Sequence, residues 1–308
     1  MRVVKFLFVV LLLIVVAAVA FIYAAPQKAY QLDTAAERAL AGLERKEIEL
    51  PGGLHYAYLD GGHGEPLMLL HGFGANKDNF LRVARFLTAR YRVIVPDHIG
   101  FGESAHPRDA DYSPAAQAER LRALAQSLGM TRLHLGGNSM GGQIAMTYAA
   151  RYPAEVMSLW LLDPAGVWSG PPSDVDKITA EKGRNPLLVS NEDDFARLFA
   201  LVMNDPPYIP RPLLNVLAQE RIPYAALEER ILKQIRSDSV EERVRGLPIP
   251  TLIVWGDKDR ALNVGSAGLL HKLLPRSQVV IMGGVGHLPM IERPRETADD
   301  YLQFRAGL

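Results

Sequence analysis

The chain has 308 residues, with 34 Lys and Arg against 34 Asp and Glu, so its formal net charge is zero. That balance excludes a phosphate-neutralising nucleic-acid binder, which needs a basic excess. Apolar residues at 48% and charged residues at 22% exclude a disordered chain, and the lack of cysteine excludes disulfides, a thiol nucleophile and thiolate metal sites.

The first element in chain order is apolar. Phe6 to Ala25 hold no charged or strongly polar side chain. Twenty such residues, at a rise of ~1.5 Å each, span the ~30 Å core of a bilayer. Ala18-Val19-Ala20 offers a signal-peptidase site, but the apolar run continues through Phe21-Ile22-Tyr23, where a cleaved peptide turns polar. The expectation is therefore a retained transmembrane anchor over residues 1–26. Arg2 and Lys5 precede the span while Lys28 and Arg38 follow it, a nearly balanced count. The expectation is a cytoplasmic N-terminus with an extracytoplasmic, periplasmic domain. Residues 27–45, with Tyr30, Leu32, Ala36, Leu40 and Leu43 mostly three or four apart, read as an amphipathic juxtamembrane helix. Such a helix can lie on the membrane or join two copies in a homodimer.

From residue 46 to 308 strands and helices alternate. Glu47–Leu50 and Leu54–Leu59 form an opening hairpin, and Pro66–Leu70 and Arg92–Val95 read as buried strands around a helix at Phe80–Ala89. A helix at Ala115–Leu128, a strand at Leu133–Leu135, a helix at Gly142–Tyr152 and a strand at Val156–Leu162 follow. Strands at Thr251–Trp255 and Gln278–Met282 flank a helix at Val264–Leu274, and a helix at Pro294–Phe304 ends the chain. Such βα alternation implies an α/β fold, a mainly parallel sheet with helices on both faces. Between the last two groups, residues 165–246 are proline-rich, strand-free and helical around Phe195–Met203, Leu213–Gln219 and Leu227–Ile235. A segment of that length is expected to be an inserted helical lid.

Ligands in such sheets bind beyond the carboxyl ends of the strands. There, Gly137-Asn138-Ser139-Met140-Gly141 follows a strand and opens a helix, the setting of a nucleophile elbow. A serine nucleophile needs a base held by an acid, and the chain order in this setting is nucleophile, acid, base. His287 follows the last strand through Gly283-Gly284-Val285-Gly286 and is the expected base, since His271 lies mid-helix. For the acid, Asp259 in the loop after Thr251–Trp255 is favoured, with Asp163 as main rival and Asp257 as a turn former. An oxyanion hole takes the amide of Met140 and one from His71-Gly72-Phe73-Gly74, where Phe73 is the candidate. His71 is expected to fix that loop by hydrogen bonding and to stand near substrate. Asp97–Ser104 is glycine-rich but lacks phosphate-loop spacing and is expected to pack beneath the site.

Together, Gly137–Gly141, the HGFG at His71–Gly74, the DxxGxGxS at Asp97–Ser104, the WGxxD at Trp255–Asp259 and the GHxxxxERP at Gly286–Pro294 resemble the α/β-hydrolase superfamily. Asn138–Gln143 and Asp163–Gly166 resemble membrane-bound monoacylglycerol lipases and bacterial family V lipases in particular. The resemblance implies hydrolysis of fatty-acyl esters without a cofactor or metal, using Ser139, Asp259 and His287 with Phe73 and Met140 as oxyanion donors. His98 departs from many relatives and is a candidate substrate contact, as are Phe195, Phe199 and Met203 in the lid. Carbon–carbon bond hydrolases and cofactor-free haloperoxidases also use serine in this fold, and a non-catalytic binding protein would be marked by a lost triad member. Ser139 argues against the aspartate-based dehalogenases and epoxide hydrolases.

Overall fold

In the computed structural model, which describes residues 2–308, the central strands send successive side chains into two separate cores. Met68 and Leu70 of the third strand face one core while Leu67 and Leu69 face the other. Leu159 and Leu161 alternate in the same way with Trp160 and Leu162. A strand apolar on both faces is the signature of a parallel sheet covered by helices on both sides, each buried Leu contributing roughly 1.5–3 kcal/mol.

The sheet has eight strands: β1 (Leu43–Leu50), β2 (Leu54–Gly62), β3 (Glu65–Leu70), β4 (Tyr91–Pro96), β5 (Leu133–Asn138), β6 (Val156–Leu162), β7 (Thr251–Gly256) and β8 (Ser277–Met282). Their order is β1-β2-β4-β3-β5-β6-β7-β8, with the β1–β2 and β2–β4 pairings antiparallel and the rest parallel. This is the α/β architecture expected from the alternation.

Two helices precede the sheet, α1 (Arg2–Ala24) and α2 (Pro26–Ala41). Every side chain of α1 is exposed except the half-buried Ile22. The amide of Ala25 donates to Phe21 and that of Ala29 to Ala25, so the helical ladder runs across the junction. Arg38 ties α2 to the domain by a bidentate pair with Asp78 at 2.8 and 2.7 Å. α2 stops at Ala41 rather than at residue 45, because Gly42 takes the left-handed conformation (φ 66°) and caps it, leaving Leu43–Arg45 to start β1.

Among the connections, α3 (Leu81–Ala84) is a single turn, where the pattern suggests a longer helix. Phe86 and Leu87 bond three residues back, and Thr88 donates its hydroxyl to Ala41, so tertiary packing unwinds the rest. Helices α4 (Pro114–Ser127) and α5 (Met140–Arg151) cover one face of the sheet. The insertion between β6 and β7 carries α6 (Asp174–Lys182), α7 (Glu192–Val202), α8 (Arg211–Arg221), α9 (Ala225–Arg236) and α10 (Glu241–Val244). The segments read as helical around Phe195, Leu213 and Leu227 correspond to α7, α8 and α9. α6 lies outside the helical segments the pattern suggests, although its capping box, Ser173 with Asp176, is visible in the sequence. The chain closes with α11 (Gly265–Leu273), α12 (Pro289–Glu292) and α13 (Pro294–Ala306). On α13, Tyr301 stacks on Trp160 of β6 at 4.4 Å.

Candidate active site

The chain turns from β5 into α5 at Ser139, which has φ 54° and ψ −120°, a conformation costly for any residue with a side chain. Neighbouring glycines make the turn possible. A Cβ on Gly141 would lie 2.0 Å from the Leu70 carbonyl oxygen, and one on Gly137 would lie 2.4 Å from the Gly141 backbone. The serine is held from both sides: its amide donates to Leu162 at 3.1 Å and its carbonyl accepts from Ala165 at 2.9 Å. The N-terminus of α5 therefore begins at the next residue, with its positive dipole end at the serine.

His287 stands on the loop after β8, only 6% exposed. Its amide donates to Val202 at the end of α7 at 2.8 Å, and its carbonyl accepts from the Asn138 side chain at 3.0 Å. The ring Nδ1 lies 2.8 Å from Asp259 Oδ2. With a carboxylate as partner, Nδ1 carries the proton and Nε2 is left with a free lone pair. Asp259, in the loop after β7, also accepts from the Trp255 indole at 3.1 Å and from the amides of Ala261 and Leu262 at 2.8 and 3.0 Å. Its side chain is fully buried.

Ser139 and His287 border one cavity of about 680 Å³. One wall is apolar, with Phe195, Leu198, Phe199 and Val202 of α7 and Leu288 and Ile291 beyond His287. Another wall is polar and comes from α2: Gln27, Tyr30, Gln31, Thr34 and Arg38. At that end Glu220 lines the cavity, and partial burial followed by the charge of Asp78 pushes its carboxyl up to about 7. The Asp97–Ser104 turn contributes Gly100, Phe101, Gly102 and Glu103 to the lining, so it faces the cavity as well as packing beneath it.

The loop holding Phe73 lies against the serine: a Cβ on Gly72 would approach the Ser139 Cβ to 3.3 Å. The amides of Phe73 and Met140 donate to no group among the described residues. Over this loop sits Arg221 of α8, whose guanidinium occupies the space that a Cβ on Gly74 would need. Arg221 is paired with Glu228 of α9 at 3.0 and 2.6 Å, and both are buried.

Three candidate contacts lie off the cavity. His71 is fully buried, donates from Nδ1 to the Gly72 carbonyl at 2.8 Å and accepts the His98 amide at Nε2 at 3.0 Å. Burial pushes its basicity down, and it fixes the loop as a neutral ring. His98 is equally buried, edge-on to His71 at 4.5 Å, and burial holds it well below the usual histidine range. Met203 follows the last residue of α7 and turns into a small core with Val175, Leu201 and Ala261. Phe195 and Phe199 do line the cavity. Asp257 accepts the Gly284 amide at 2.7 Å in an exposed turn, while Asp163 lies beside Asp259 and His287. Sequence reasoning missed Asn138, Trp255 and the Arg221–Glu228 pair; only Asn138 and Trp255, inside the quoted motifs, carried any signal.

A family model described as alpha/beta hydrolase fold matches residues 65–294. The chain is 48% identical over 279 residues to Lipase 3 of Moraxella sp. (strain TA144), covering 88% of each protein. It is 31% identical over 259 residues to a monoacylglycerol lipase of Rattus norvegicus, covering 80% of this chain and 77% of the relative. A crystal structure of a membrane phospholipase A, described as a novel bacterial virulence factor, is 42% identical with a TM-score of 0.89, covering 100% of this chain and 99% of that one.

Proposed function

This chain belongs to the alpha/beta hydrolase fold family, and from that premise we propose that it is a membrane-anchored serine carboxylester hydrolase acting on fatty-acyl lipid esters. Kinship with lipases and a phospholipase supports hydrolysis of lipid esters. The observation that carries the serine mechanism is the strained Ser139 and the Asp259-bound His287 on one cavity with an apolar wall.

In this reading His287 Nε2 removes the Ser139 proton as Oγ attacks the ester carbonyl. The Phe73 and Met140 amides hold the resulting oxyanion. His287 returns the proton to the leaving alcohol, then activates a water that releases the fatty acid from the acyl-serine. The α7 side of the cavity takes the acyl chain. Monoacylglycerols, lysophospholipids and phospholipids all meet these requirements, and product analysis over a panel of such lipids selects among them. Release of fatty acid from none of them would overturn the lipid reading.

We assign residues 1–26 to a membrane anchor, the following helix to a juxtamembrane element and residues 46–308 to the catalytic domain, with the insertion at about 165–246 as its lid. An α1 of 23 residues reaches ~35 Å, enough for a bilayer core. The full chain is expected to sediment with membranes through an alkaline wash and to need detergent for release. A chain beginning at Ala25, which keeps all of α2, is expected to lose that behaviour and retain hydrolysis of a short p-nitrophenyl ester. Its rate on bilayer-embedded lipid falls further than its rate on the soluble ester. A mature N-terminus at Phe21 with all activity in the soluble fraction would overturn the anchor.

A further inference from the structure

Besides Ser139, one other residue with a side chain has a left-handed backbone among the described residues: Asp163, at the end of β6, with φ 44°. It is fully buried, and one ligating atom each from Asp163, Asp259 and His287 lie within 4.8 Å of one another. Two fully buried carboxyl groups thus crowd one imidazole. Like charges so placed cannot both persist, and one group must hold a proton.

The hydrogen bonds identify which. Asp259 accepts four: from Ala261, Leu262, the Trp255 indole and His287 Nδ1. Asp163 accepts one, from the Gly256 amide to Oδ1 at 2.9 Å, and its Oδ2 is buried without a donor among the described residues. A charge is stable where donors converge, and a bare buried carboxylate oxygen is costly. The same count argues against a metal ion among these three groups, since the oxygens of Asp259 are already taken. Glu292 also faces the cluster, with its oxygens occupied by the amides of Gly286, Asn204 and Asp205.

We infer that Asp163 is a positioning residue: a neutral carboxylic acid whose Oδ2 proton is directed at the Asp259 carboxylate, so that the Asp163–Asp259 pair holds one negative charge beside His287. Consistent with this placement, burial above all, then the Asp259 charge and a hydrogen bond with it, pushes the Asp163 carboxyl well above the usual carboxylate range. A second charge here would favour a cation where the mechanism needs a neutral base, whereas the neutral acid fixes the Asp259 oxygens without that cost. The inference rests on the reading of Ser139, Asp259 and His287 given above.

The test compares Asp163→Ala, Asp163→Asn and Asp259→Asn with the parent, all full-length in detergent, by the pH dependence of kcat/KM on a p-nitrophenyl ester. Asp163→Ala is expected to lose roughly 10–100-fold, mostly in kcat. Asp163→Asn supplies the same donor and acceptor without a titrating proton, and it tolerates the positive φ. It is expected to restore activity to within about threefold of the parent, with the acid limb of the profile in place. Thermal unfolding gives an independent readout. In the parent, unfolded Asp163 loses its proton above about pH 4 while folded Asp163 keeps it, so the stability present below that pH is lost as pH rises. The midpoint advantage of Asp163→Asn over the parent should therefore widen above about pH 4, the two unfolding constants diverging by up to tenfold per pH unit.

An acid limb moved down by about half a pH unit or more in Asp163→Asn would mean that Asp163 is charged, and would overturn the inference. A midpoint difference that does not change with pH would do the same. Full activity in Asp163→Ala would remove the positioning role. Loss of activity in Asp163→Asn with survival in Asp259→Asn would instead overturn the assignment of Asp259 as the acid. If Asp163→Ala does not fold, the limb and the midpoint trend of Asp163→Asn decide the question.

Discussion

Replacing Ser139 or His287 with Ala is expected to lower kcat/KM on a p-nitrophenyl ester by ~10⁴-fold or more. The two side chains share a cavity, and His287 is oriented so that only its Nε2 faces outward from Asp259. Neither works without the other: a serine hydroxyl with no base is a weak nucleophile, and a base with no hydroxyl has nothing to activate. The double substitution should therefore cost about as much as either single one, with residual catalysis from the free amides of Phe73 and Met140. Retention of a tenth of the parent activity by Ser139→Ala, with unfolding midpoint unchanged, would remove serine from the mechanism.

Asp259→Asn is the second large effect, an expected loss of ~10⁴-fold in kcat. Its cause lies in the donor pattern. One carboxylate oxygen receives the Ala261 and Leu262 amides, and the other receives the Trp255 indole and His287 Nδ1. An Asn side chain must turn its NH₂ towards one of these donor pairs. With the NH₂ towards His287, the ring is driven to the tautomer that protonates Nε2 and cannot accept the serine proton. With the NH₂ towards the loop amides, the turn that places residue 259 loses its anchor. Kinetics of the purified variant beside its unfolding midpoint separate these routes. An Asp259→Asn protein near parent activity, with Asp163→Asn inactive, would move the acid to β6.

The sheet and the elbow were legible because their signals are local. G-x-S-x-G between a strand pattern and a helix pattern needs no knowledge of distant contacts, and Asp259 and His287 stand out as candidates because they lie in loops at strand ends. What was not legible depends on long-range packing. Asn138 reaches the His287 carbonyl across 149 residues of chain, and nothing around Arg221 announces that it covers the Phe73 loop. Side-chain direction was equally hidden. His71 and His98 sit in the right loops yet point at each other, and Met203 lies one residue past the helical face that lines the cavity. The pattern of residues 27–45 suggested an amphipathic helix but not that its polar residues form a cavity wall. The early end of that helix turns on the conformation of one glycine, Gly42.

The backbone of Ser139 has a consequence for how this protein fails. Its φ and ψ lie where glycine is at ease and any side chain costs roughly 1–3 kcal/mol. On the proposed mechanism the chain keeps its nucleophile against its own folding preference, and a glycine at this position would relax the turn while deleting the chemistry. Such a lesion leaves the amount of protein in the cell intact or raised, because chaperones and proteases respond to unfolding and not to lost turnover. Abundance and activity would then be uncoupled at Ser139, and an inventory of the folded protein would not reveal the defect.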